Sequence, residues 1–251
     1  MHIDLTPLTF VLFLLGLLTG MYSAVVGGGA ILLVPVFSLM GTPLAVAIAT
    51  MRLGAVFQQL VATAAFWKEG KIAWKPAAWI TAICVPGAYL GARLAVHLDP
   101  HMLSYVVAVL MFILLGVVLC FDRGRLRKRP AIRYAWPILI VFALVLGFYG
   151  GFYGAGFSTL LMLAFIYIGG FGILESSANA SLAAFVMSAV ASVVFVGAGD
   201  VDWQLFLPVT AGGVIGAWLG VESAVKFGGK WVHALLLIVL AGSIVRLILF
   251  P

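Results

Sequence analysis

Charge is scarce in this chain. Only 9% of its 251 residues are Asp, Glu, Lys or Arg, while 65% are hydrophobic. A folded domain in water needs polar cover, with about a quarter of its residues charged, so a soluble class is excluded. Cysteine and histidine are also rare, at 2 and 4 residues. Cys84 and Cys120 lie inside apolar runs without ligand spacing and read as small buried apolar residues. His97 and His101 flank a tight Asp99-Pro100 connection and, like His233, read as interfacial, so no metal or other cofactor is expected. No Walker-type phosphate loop occurs. Ser158 has no histidine within a span to activate it, so no enzyme is expected. The excess of positive charge, +6 in all, gathers in short connections. That pattern orients a membrane protein better than it binds nucleic acid.

What the chain does have is apolar length. Runs long enough to cross a bilayer, which takes about 20 residues, fall at 8–26, 44–67, 76–96 and 102–121, then at 136–153, 174–196, 205–220 and 231–250. Run 8–26 has no basic N-terminal flank and reads as a retained span, not a cleaved signal. Two apolar stretches, 30–40 and 160–168, are too short to cross alone. One long polar stretch, 122–135, carries Arg123, Arg125, Arg127, Lys128, Arg129 and Arg133, which marks a cytoplasmic linker.

That linker divides two related halves. Gly16, Gly20 and Tyr22 match Gly147, Gly151 and Tyr153 at an offset of 131, as do Ala47, Ala49 and Thr50 with Ala178, Ala180 and Ser181. Further on, Gly70 and Trp74 match Gly199 and Trp203 at 129, and VPGAYLGA from Val85 matches VIGAWLGV from Val214. The expected fold is an all-α integral membrane protein in two halves, 1–121 and 136–251, joined by 122–135. Each half has four full spans plus one short broken or re-entrant helix. Inverted halves put Lys68, Lys71 and Lys75 inside with Lys226 and Lys230, and the loop of Asp200 and Asp202 outside. Parallel halves would break the rule that lysine and arginine stay in the cytoplasm. Inverted repeats with both termini outside are therefore expected, in the inner (plasma) membrane.

Each half is interrupted after its first span. The first break holds Gly27, Gly28 and Gly29, and the second reads GAGFS with Gly154, Gly156 and Ser158. Three glycines cost a helix about 1 kcal/mol each relative to alanine. Such breaks survive in hydrocarbon only where protein or a cavity covers the freed backbone. Paired breaks at matching places point to the central site of a transporter, where half-helix N-termini favour an anion. Arg52 lies about two turns into its span, where a charge is a candidate site by default, and its planar fork suits oxyanions. Gln59 shares the helix face of Arg52. Asn179 is a costly polar group in lipid, Thr50 and Ser181 are candidate orienting hydroxyls, and Glu175 is the candidate for proton coupling.

With these segments in view, the chain resembles the TauE/SafE sulfite-exporter family over residues 8–250. The resemblance rests on the glycine break GGGAILLVP ending at Pro35, on Ala49-Thr50-Met51-Arg52, on GDVDW at 199–203, and on GAYLGA and GAWLGV. Arg52 and Met51 stand where related chains often carry lysine and asparagine. The resemblance implies export of small sulfur-containing or organic anions. The reading is therefore a secondary transporter of sulfite, a sulfonate or a related acid, working by alternating access. A passive anion channel is the alternative. The partners are the small anion and the lipid bilayer.

Overall fold

The computed structural model describes residues 7–120, 135–199 and 201–228. The expected last span at 231–250, most of the basic linker, and Asp200, Lys230, His233 and Arg246 lie outside the described residues. Among the described residues the fold is helical throughout: α1 (Pro7–Val25), α2 (Gly29–Leu39), α3 (Leu44–Lys68), α4 (Trp74–His97), α5 (Pro100–Cys120), α6 (Ala135–Phe152), α7 (Phe157–Tyr167), α8 (Ile173–Gly197) and α9 (Trp203–Phe227). Five of them, α1, α3, α4, α8 and α9, are long and apolar enough to cross a membrane. The short stretches expected at 30–40 and 160–168 are α2 and α7, each 11 residues long. Pro7 opens α1, where its missing N–H costs nothing.

Without a hydrophobic drive between helices in lipid, close packing falls to small residues. The Gly-x-x-x-Gly pairs do this work between the halves. A Cβ on Gly20 would lie 2.2 Å from the carbonyl oxygen of Gly213 on α9, and one on Gly216 would lie 2.0 Å from that of Leu17 on α1. On the other side, a Cβ on Gly91 would lie 2.1 Å from the Phe148 oxygen, and one on Gly151 would lie 2.0 Å from that of Ala88. Backbone therefore meets backbone at two equivalent crossings, α1 with α9 and α4 with α6. Contacts advance in the same sense along both helices of each pair, so each pair runs parallel.

The centre belongs to α3 and α8. Near the start of α3, the Thr50 hydroxyl accepts the N–H of Asp202, just past the end of α8, at 2.9 Å. Near the start of α8, Asn179 Oδ1 accepts the N–H of Ala73, just past the end of α3, also at 2.9 Å. The two helices thus pass each other in opposite directions. These reciprocal bonds also correct the residue matching. They pair Thr50 with Asn179 at an offset of 129, not with Ser181 at 131, which sets Ser181 opposite Arg52 in the repeat. Alanine-rich helices match themselves at several offsets, and only the hydrogen bonds select one.

Candidate functional site

A helix leaves its last four carbonyls without intrahelical partners, and in lipid each must be satisfied. Helix α1 ends against α3, α7 and α8, and side chains from these three helices take its terminal carbonyls in turn. Gln59 Nε2 donates to Ser23 O at 3.2 Å, Ser181 Oγ to Ala24 O at 3.1 Å, Ser177 Oγ to Val25 O, and Thr159 Oγ1 to Val26 O at 2.8 Å. The chain then turns at Gly27 and Gly28, with φ of 86° and 85°, a left-handed conformation that glycine adopts without strain. A Cβ on Gly27 would also lie 2.5 Å from Ser158 Cβ, so the two breaks touch. The second break repeats the device: Gly154 and Gly156 have φ of 75° and 76°, and the Tyr149 hydroxyl donates to the carbonyl of Ala155.

Both short helices therefore start at the same depth, α2 after Gly28 and α7 after Gly156, and neither has a side-chain N-cap. Their first-turn N–H groups carry the positive end of the helix dipole. Between the breaks lies a cavity of about 50 Å³ whose walls include Gly28, Gly29, Arg52, Gln59, Gly154 and Ser158. At about 10–15 Å³ per water, it holds a few waters or the charged group of a small oxyanion.

Arg52 is the charge in its wall. The side chain is 5% exposed, and its Nε and one terminal nitrogen have no hydrogen-bond partner. Its guanidinium lies flat on Gly154, where an added Cβ would sit 2.0 Å from Cζ. Among the described residues, no Asp or Glu lines the cavity. A buried cation without a counter-charge is costly, and a buried guanidinium with free donors suits an oxyanion fork to fork.

The structure brings six of the expected residues to this cavity: Arg52, Gln59, Gly28, Gly29, Gly154 and Ser158. Gly27 and Gly156 shape the turns beside it. Thr50 and Asn179 instead tie helix starts to distant connections, and Ser181 holds the end of α1. Glu175 accepts the N–H of Gly172 at 2.9 Å and caps α8. Ser23, Met51 and Phe157 also line the cavity. They carry no charge, so only their position, Ser23 and Phe157 beside the breaks and Met51 next to Arg52, distinguishes them.

Known proteins resemble the chain over nearly its whole length. The profile of the family described as sulfite exporter TauE/SafE matches residues 12–247. A Sinorhizobium protein named probable membrane transporter protein ORF9 is 28% identical over 246 residues, covering 96% of this chain and 92% of its own. A probable membrane transporter protein of Haemophilus influenzae is 25% identical, covering 91% and 89%. The Escherichia coli probable membrane transporter protein YfcA is 25% identical, covering 92% and 86%. No solved structure matches.

Proposed function

The chain belongs to the sulfite exporter TauE/SafE family as a multi-pass membrane protein, and we propose that it is a secondary transporter of a small oxyanion such as sulfite, a sulfonate or a related organic acid. The observation that carries this reading is the buried, unpaired guanidinium of Arg52 in the wall of a small cavity between two uncapped helix starts. Arg52 supplies the fork, and the first turns of α2 and α7 supply backbone donors. Gln59 and Ser158 face the same space. Arg52 belongs to one half and Gly154 to the other, so the anion sits on the seam where rocking of the halves would open it to either side. Glu175, the candidate for proton coupling, sits in the cap of α8, away from the cavity wall.

The halves are read as inverted repeats, with 122–135 as the cytoplasmic link. Several directions support this. α3 and α8 are equivalent and antiparallel. α1 runs with α9 and α6 runs with α4, so α1 and α6 also point in opposite directions. A twofold axis relating such halves lies in the membrane plane. Single cysteines at Lys71 and Lys226 should then label from the cytoplasm and one at Asp200 from outside. Cytoplasmic labelling at Asp200 overturns the inverted reading.

Ligand screening tests the cargo class. Sulfite and similar oxyanions should raise the unfolding temperature of the purified protein, by about 2.7 kcal/mol of stability at a hundred times Kd, while cations and bulky sulfonic dyes should not. Flux into proteoliposomes should saturate. If no small anion stabilises the protein or crosses the bilayer, the proposal fails.

A further inference from the structure

The parallel seam of α4 and α6 is closed at one end and open at the other. Around Gly87, Gly91, Gly147 and Gly151 the backbones touch. Toward the helix starts, Trp79 and Ile83 of α4 face Trp136 and Ile140 of α6 and bound a groove of about 420 Å³. That volume lies within the range of small-molecule pockets, about 300–1,000 Å³. Its walls are apolar except for Lys75, which stands at the start of α4. Trp79 is 70% exposed and Trp136 50%, and both sit near helix starts, where indoles mark the level of lipid headgroups.

We propose that this groove binds one anionic phospholipid, an acyl chain lying between Trp79 and Trp136 and the headgroup phosphate meeting Lys75. Charge complementarity selects the occupant. The connection leading to Lys75 also carries Lys68 and Lys71 against the single Glu69, and Arg133 stands three residues before Trp136 in the chain. Basic clusters at helix ends attract anionic headgroups. The α9 side of the matching α1 and α9 seam lacks this equipment. At the offset of 129, Lys75, Trp79 and Ile83 correspond to Gln204, Pro208 and Gly212. A Cβ on Gly212 would lie 2.0 Å from the Phe13 oxygen, so the equivalent seam closes where Ile83 stands in the first half. The groove is therefore a feature of the α4 and α6 seam and not a by-product of the repeat.

Native mass spectrometry of the full-length protein in detergent tests the site, with phosphatidylglycerol and phosphatidylcholine of identical acyl chains as probes. One phosphatidylglycerol should remain bound under conditions that strip phosphatidylcholine. Lys75→Gln should lower its occupancy about fivefold, Lys75→Arg should restore it, and Lys226→Gln should leave it unchanged. Trp79→Ala should weaken retention of both lipids. Equal retention of the two lipids, unchanged binding by Lys75→Gln, or an equal loss with Lys226→Gln would overturn the proposal.

Discussion

Arg52→Gln should lower anion flux in proteoliposomes by about a hundredfold or more while leaving the protein folded. Truncating one partner of a buried, hydrogen-bonded charge pair costs about 2–5 kcal/mol of binding, and a hundredfold falls within that span. The readout that separates binding from structure is stability without anion. If Arg52 were a structural strut, its loss would destabilise the empty protein. In the cavity it is instead an unpaired buried cation, and removing such a charge relieves a desolvation cost. The empty variant should therefore unfold at the same temperature as the parent or higher, and the anion-dependent shift should vanish. Arg52→Lys keeps the charge but loses the planar fork, so it should retain a flux about tenfold below that of the parent. Unchanged flux in Arg52→Gln, or a strongly destabilised empty protein, would remove Arg52 from the binding site.

Arg52 could be found from sequence because a charge inside an apolar span has few alternative explanations. The first glycine break was equally visible, since three glycines in a row are costly in a helix, and the second followed as its match in the other half. The partners of these features were not. Nothing in the chain ties Gly154 to Arg52, 102 positions away, or the hydroxyls of Ser177, Ser181 and Thr159 to the carbonyls of α1. Those links exist only once α7 and α8 are packed against the broken end of α1. Thr50, Asn179 and Ser181 look like site residues because a polar group in lipid needs a partner, and sequence cannot tell a ligand from a backbone group. Here the partners are N–H and C=O groups exposed at helix ends. The sequence shows the repeat offset falling from 131 to 129, but that the change precedes Thr50 was hidden for a related reason. Small residues that permit close packing carry little information about register, whereas a reciprocal pair of hydrogen bonds fixes it.

Gly154→Ala should be nearly as damaging as loss of Arg52, and its cost should depend on Arg52. The residue has φ of 75°, and a left-handed conformation costs an L-residue about 1–2 kcal/mol. The new methyl would also overlap the guanidinium carbon, which lies 2.0 Å from its position, and push the fork away from the cavity. A fall in anion affinity of at least tenfold is expected. Gly70→Ala isolates the backbone part, because Gly70 has φ of 63° and nothing within 4 Å of an added Cβ. That variant should lose stability only to the backbone extent and leave transport intact. In an Arg52→Ala background the steric part disappears, so Gly154→Ala should then cost no more than Gly70→Ala. The difference between the two backgrounds is the interaction energy of the pair, which lies at about 0.5–3 kcal/mol for residues in contact. If Gly154→Ala costs the same with and without the arginine, the guanidinium does not rest on Gly154. The second break would then act through its own turn alone, and the seam between the halves would have no charge to offer an anion.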